Sequence, residues 1–166
     1  MLDSSDRTIL ALLQENARTP NSEIARRVGL APSAVLERIR KLERTGVIQG
    51  YEPRIDPRAL DAGLLAFIFV HAEERIGGLE AGRAIACLPE VQEVHQVAGE
   101  DCYLVKVRVA GTEALGALLR DGIGTIKSIR STRTTIVLST VKEHAPLPTG
   151  AEFESKERSA RRKRSR

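Results

Sequence analysis

The spacing of apolar residues predicts an α+β protein in two parts: an all-helical N-terminal unit, then a mixed domain of order βαββαβ. Two observations carry this. Up to residue 50, apolar residues recur three and four apart, the stripe of a helix; from Leu64 they run together or alternate, the pattern of strands. Between the two regimes Pro53, Pro57 and Gly63 interrupt either pattern. The chain has 166 residues, 42% of them apolar. That length allows one large domain or two small ones.

The helical unit is read first. Ile9, Leu12 and Leu13 make one apolar face, with Asp3 as N-cap and Asp6 in the first turn. Asn16 to Pro20 breaks this helix. A short helix follows from about Pro20 to Val28, capped by Thr19, with Ile24, Ala25 and Val28 inward. Gly29 ends it, Leu30 plugs the turn, and Pro32 opens a third helix. That helix turns Val35, Leu36, Ile39 and Leu42 to the core, and Gly46 stops it. Val47-Ile48 begins an extended segment. Residues 51–63 form a linker in which Ile55 could occupy a short strand, and Gly63 is the hinge.

The second part is read from its strands. Leu64 to Glu73 is a largely apolar strand, and Gly78 to Leu88 a helix with Leu79, Ile85 and Leu88 apolar. Pro89 ends it. Val91, Val94 and Val97 belong to a strand, and Gly99-Glu100-Asp101 is a turn. Tyr103, Val105, Val107 and Val109 then alternate with Leu104, Lys106 and Arg108. Thr112 to about Gly122 is helical through Leu115, Leu118 and Leu119. Ile129 to Val141 is the last strand, with Thr132, Thr134, Ile136 and Leu138 on one face. Right-handed crossovers make this a four-stranded antiparallel sheet with two helices on one face, the ferredoxin-like arrangement. The expected divisions are 1–50, 51–63, 64–142 and a tail, 143–166. Pro146, Pro148 and Gly150 exclude regular structure at the start of that tail, and residues 155–166 hold too little apolar surface to fold.

Charge is placed unevenly. Residues 1–50 carry 8 Lys+Arg against 6 Asp+Glu, residues 51–150 carry 11 against 13, and residues 151–166 carry 7 against 3. The basic excess at the two ends suits a polyanion met by the ends. The tail reads either as a DNA-contacting arm or as an inert extension. Aromatics are 3% with no Trp, few for gripping single strands by stacking. Cys87 and Cys102 are too few for a disulfide scaffold or a four-thiolate metal site, and His71, His95 and His144 lack partners at ligand spacing. No nucleophile triad or phosphate loop stands out, so neither an enzyme nor a cofactor is expected. No apolar run reaches membrane-spanning length, and Met1-Leu2-Asp3-Ser4 does not begin a secretory signal, which predicts a cytoplasmic protein.

A short helix, a turn with Gly29 and a longer helix make the helix-turn-helix pattern, in which the second helix enters the major groove. Pro32, Ser33, Ala34, Glu37 and Arg38 would lie nearest the bases. Arg38 suits guanine or a phosphate, Lys41 a phosphate, and Arg26 and Arg27 the backbone. The alternative is an ordinary three-helix bundle with solvated charges. Six basic residues against two acidic ones across positions 26–44 favour DNA.

Several motifs in order now resemble one family. They are Leu2-Asp3 with Asp6-Arg7 and Ile9-Leu10, then Glu23-Ile24-Ala25, Val28-Gly29-Leu30 and Leu36-Glu37-Arg38-Ile39 with Leu42-Glu43. Gly46-Val47-Ile48-Gln49-Gly50-Tyr51 and Thr132-Arg133-Thr134-Thr135-Ile136-Val137-Leu138 continue the match. Over about residues 2–142 the chain resembles the leucine-responsive/asparagine-responsive (Lrp/AsnC) transcription regulators. The resemblance implies a winged helix-turn-helix followed by a ligand-binding domain. It also implies a homodimer assembled further, as into octamers, that binds double-stranded DNA and senses an amino-acid-like effector.

The resemblance puts the effector at the turn Gly99, Glu100, Asp101, Cys102 and Tyr103. Gly99 would let backbone N–H groups approach a carboxylate, an acid would take the ammonium group, and the hydroxyls of Thr134 and Thr135 would complete the bonds. Read without the resemblance, the same residues make an ordinary hairpin turn. Two positions depart from the family's pattern. Ala31 stands where a Ser cap is usual, and Cys102 replaces the second acid, so Glu100 or Asp101 must supply the negative charge. The rival reading is a ferredoxin-like module binding a small molecule or RNA without operator specificity. RNA would require exposed aromatics, and the third strand offers Tyr103 alone.

Overall fold

A computed structural model describes residues 2–75 and 77–150. The chain divides into two compact units, Met1–Pro53 together with Lys142–Arg166, and Arg54–Val141. Among the described residues, 142–150 group with the helical unit. The basic run at residues 155–166 lies outside the described residues.

The helical unit has α1 (Ser4–Glu15), α2 (Asn21–Val28) and α3 (Pro32–Arg44). Asp3 and Asp6 form a reciprocal capping box at the start of α1: Asp6 N–H donates to Asp3 at 2.8 Å, and Asp3 N–H to Asp6 at 3.3 Å. Ile9, Leu12, Ile24, Ala25, Val35, Ile39 and Leu42 are the core, with Leu13 and Leu30 half-buried against it. Leu36, expected inward, is half-buried outside that cluster.

Three local expectations change. Thr19 does not cap α2. Pro20 takes the cap position, its carbonyl receiving the N–H groups of Glu23 and Ile24, while the Thr19 hydroxyl donates to Asn16 O at 2.7 Å. Second, α3 has no side-chain cap at Ala31, and Pro32 at the first turn brings no N–H to satisfy. Third, the wing is absent as a paired ribbon. The N–H groups of Val47 and Ile48 both turn back to Leu42 O, closing the end of α3, and no strand precedes Leu64 among the described residues. Gly29 holds φ +76° at the end of α2, the left-handed conformation that favours glycine. Ile55 is 60% exposed and in no strand; Asp56 instead caps a single 3-10 turn, Pro57–Leu60.

The second unit contains β1 (Leu64–Ala72), α4 (Glu80–Ala86), β2 (Val91–Gln96), β3 (Tyr103–Val109), α5 (Thr112–Ala117) and β4 (Ile129–Ile136). The strand order is β2-β3-β1-β4 with every pair antiparallel, the ferredoxin-like sheet. Opposed pairs Ala66–Val107, Ile68–Val105 and Val70–Tyr103 lie on the face packed against Ala81, Ile85, Leu115, Leu118 and Ile123. Both helices are shorter than their apolar patterns: α4 stops at Ala86, and α5 gives way at Leu118–Gly122 to a wider turn. Strand β4 stops at Ile136, not Val141. Val137 N–H still reaches Leu65 O, but β1 begins one residue earlier, so nothing remains to pair with Leu138 and Val141, which are 97% and 98% exposed. Lys106, which alternation placed in solvent, is buried and pairs with Glu93 at 3.1 Å. Hydrogen bonding from His95, and then from Lys106, holds the Glu93 carboxyl below the usual range.

Candidate DNA-binding and effector sites

Helix α3 has two faces. Val35, Ile39 and Leu42 enter the core, while Pro32, Ser33, Ala34, Glu37, Arg40, Lys41 and Arg44 are exposed. Arg40 is held by Glu37 at 3.1 Å. Among the described residues, the Lys41 and Arg44 side chains take no carboxylate. On α2, Glu23 pairs with Arg27 at 2.7 Å and lies 4.0 Å from Arg26, which leaves both guanidinium groups at the surface.

Arg38 is placed differently from the other candidates. Its Nη1 donates to Asp3 Oδ2 at 2.6 Å and to Asp6 Oδ1 at 2.7 Å, tying the recognition helix to the start of α1. Hydrogen bonding to these two acids raises the Arg38 pKa, with Asp3 the larger contributor. Asp3 is held below its ordinary value first by the Asp6 N–H and then by Arg38. Helical spacing gave no sign of this clamp, because its partners are 32 and 35 residues apart in sequence. Beyond α3, the Tyr51 hydroxyl donates to Glu43 at 2.9 Å; desolvation, followed by Glu43, pushes its pKa up to about 12.

In the second unit, the turn leading into β3 holds Gly99 at φ +133°. Glu100 O accepts from His71 Nδ1 at 2.8 Å, so that nitrogen carries the hydrogen. The Glu100 side chain is exposed and has no partner among the described residues. Asp101 is committed to Arg133 at 2.9 Å, and the Arg133 guanidinium lies 4.1 Å from the centre of the Phe69 ring. The Cys102 thiol donates to Ala72 O at 3.2 Å, and Cys102 N–H to Val70 O at 2.8 Å, knotting β3 to β1.

Tyr103, grouped with the turn on sequence, points into the core. It is 1% exposed, and its hydroxyl donates to Glu74 Oε2 at 2.6 Å. Burial, then Glu74, pushes its pKa up to about 12. The same Glu74 carboxylate accepts the Ala81 N–H, capping α4 from a distance, since Leu79 at the cap position cannot. The missing cap before α4 was the available signal for Glu74. Thr134 and Thr135 are not brought to the turn. They oppose Ile68 and Phe67, on opposite sheet faces, while the turn sits at the Val70–Ala72 end with β1 between.

Among the described residues, no group of three or more His, Cys, Asp or Glu side chains is arranged to hold a metal ion, and no helix is long and apolar enough to cross a membrane. A helix-turn-helix unit and a ferredoxin-like domain on one chain define a DNA-binding regulator with a ligand domain. Residues 2–43 match the AsnC-type helix-turn-helix domain, and residues 65–147 the Lrp/AsnC ligand binding domain. The chain is 40% identical to the leucine-responsive regulatory protein of Escherichia coli K12 over 144 residues, 86% of this chain and 88% of that protein. A transcriptional regulator of Neisseria meningitidis, solved as a complex with L-Met, superposes with TM-score 0.82 at 30% identity, over 89% of this chain and 97% of that one. The feast or famine regulatory protein of M. tuberculosis, complexed with L-methionine, gives TM-score 0.79 at 39% identity, over 86% and 96%. The chain belongs to the Lrp/AsnC family of transcription regulators. It is not an enzyme, and this membership decides between a DNA-binding regulator and the rival RNA-binding module.

Proposed function

We propose that this chain regulates transcription by inserting α3 into the major groove of an operator and responds to an amino acid bound at the Gly99–Asp101 turn. The observation that carries the DNA half is the division of α3 into a buried apolar face and an exposed face of Ser33, Ala34, Glu37, Lys41 and Arg44. Lys41 and Arg44 serve the phosphates, Arg26 and Arg27 flank them from α2, and Pro32, Ser33, Ala34 and Glu37 meet base edges. Arg38 supports the helix from behind and is not assigned a base.

Glu100 is the ammonium acceptor, because Asp101 is already paired with Arg133. Backbone N–H groups near Gly99 take the carboxylate. The chain works in the cytoplasm as a homodimer and in a higher oligomer such as an octamer. The effector acts by differential affinity for two assembly geometries, each setting how pairs of recognition helices meet DNA. L-methionine, bound by two relatives, is the first probe. A duplex selected by the protein from a random-sequence pool is titrated with and without it. Binding that is sequence-dependent and shifted by the amino acid supports the reading; sequence-independent binding would overturn it.

A further inference from the structure

Strand β1 runs past the point where β3 begins. Its last pair with β3 is Val70–Tyr103, and His71 is the next residue, exposed on the face of the sheet opposite Val70. The Gly99–Asp101 turn is tied to that face at two points. His71 Nδ1 donates to Glu100 O at 2.8 Å. The Asp101 carboxylate takes Arg133 of β4 at 2.9 Å, where Arg133 opposes Phe69, two places before His71. Cys102 N–H, bonded to Val70 O at 2.8 Å, fixes the end of the turn that enters β3. The chain has no cis peptide bond, so the Glu100 C=O and the Asp101 N–H point in opposite directions across one planar unit. With the carbonyl on His71, the Asp101 N–H faces away from that ring. Among the described residues, no acceptor meets the N–H groups of Gly99, Glu100 or Asp101.

We propose that His71 is a positioning residue of the effector site: by holding the Glu100 carbonyl it aims the Asp101 N–H at the effector's carboxylate. The proposal rests on the reading of the turn given above and adds to it one donor and the side chain that orients that donor. An exposed turn peptide can rotate about its two flanking bonds, and the rotated form sets a carbonyl oxygen against the carboxylate. His71 opposes that rotation before the effector arrives, which lowers the ordering left for binding to accomplish. The two acids of the turn then divide the zwitterion between them. Glu100 gives its backbone carbonyl to His71 and keeps its carboxylate, unpartnered among the described residues, for the ammonium group. Asp101 gives its carboxylate to Arg133 and keeps its N–H for the carboxylate.

The test measures L-methionine binding to the full chain by titration calorimetry, with the remaining common amino acids tried where methionine gives no heat. His71→Leu keeps a branched side chain and removes the donor. His71→Asn keeps an N–H at the place that Nδ1 occupies. The side chain is exposed, so neither change enters the core. His71→Leu should weaken binding about 2- to 10-fold, the range for one hydrogen bond between uncharged groups, and His71→Asn should return it to within about twofold of the parent. A role in shape or packing alone is not rescued by asparagine, so an equal loss in both variants overturns the proposal. Glu100→Gln separates the proposal from the reading beneath it. If Glu100→Gln weakens binding and His71→Leu does not, the turn is the effector site and His71 does not position it. If neither changes the affinity, or no amino acid binds the parent, the reading of the turn falls and this inference falls with it.

Discussion

Arg38 on the recognition helix and Asp6 at the start of the first helix meet at 2.7 Å, and Asp6 is only 5% exposed. One guanidinium nitrogen serves both Asp6 and Asp3, so the capping box of α1 and the orientation of α3 depend on one side chain. A residue that sequence position assigns to DNA is thereby bonded to the two acids that cap α1.

Arg38→Ala should destabilise the helical unit by about 1.5–3 kcal/mol, the range for losing hydrogen bonds between charged groups and leaving a buried carboxylate poorly served. Lys41→Ala should leave stability unchanged and reduce the salt slope of DNA binding by ~0.9, the value for one phosphate. Urea unfolding and a salt titration of operator affinity separate the two. Equal stability of Arg38→Ala and the parent would show that the clamp is dispensable.

Acid should weaken this same corner. Asp3 is held below its ordinary 3.8 in the folded chain. In the window below that value the unfolded chain binds more protons than the folded one, so stability falls as pH falls through the folded pKa. Asparagine still caps a helix but cannot ionise. Asp3→Asn should therefore have a flatter urea midpoint than the parent as pH falls below 3.8, which an acid titration of that midpoint reads directly.

The parts of the fold legible in sequence are those governed by period. Strand β3 matches its alternation from Tyr103 to Val109 at both ends, and the stripes of the first three helices name their core. Less legible were ends and partners. Val47 and Ile48 have strand-forming side chains, but their N–H groups are consumed in closing α3. Leu138 and Val141 continue the apolar pattern of β4 past the point where β1 can pair with it. In the candidate sites, proximity in sequence was misleading. Tyr103 adjoins the turn, yet alternation turns it into the core, and two adjacent threonines face opposite ways. Arg38 and Glu74 act over distances that no local spacing encodes.

Gly82 is predicted to be intolerant of alanine, against helix propensity. A Cβ there would lie 2.6 Å from Tyr103 Cε1 and 3.1 Å from Cζ. The ring is buried and its hydroxyl is held by Glu74, so it cannot swing away without breaking that bond. Alanine should gain up to ~1 kcal/mol of helix propensity, while overpacking costs ~1–3 kcal/mol. The net expectation is destabilisation, with α4 pushed from the sheet. A urea midpoint at or above that of the parent would contradict the close contact.

The acids of the turn should be unequal. Glu100 is exposed and its carboxylate is unpartnered among the described residues, whereas Asp101 already neutralises Arg133. An ammonium group recruited by Asp101 would have to compete with that guanidinium; one recruited by Glu100 meets no rival. A charge-assisted hydrogen bond contributes ~1.5–3 kcal/mol, so Glu100→Gln should weaken binding of L-methionine by roughly 10- to 150-fold. Asp101→Asn should act indirectly, by releasing Arg133 from one of its two contacts, and cost less. Cys102→Asp would replace a thiol that donates to Ala72 O with a carboxylate that can only accept, so it should loosen the turn. Titration calorimetry on the three variants ranks them. If Asp101→Asn loses more affinity than Glu100→Gln, the ammonium group sits at Asp101, and the Arg133 pair opens when the effector binds.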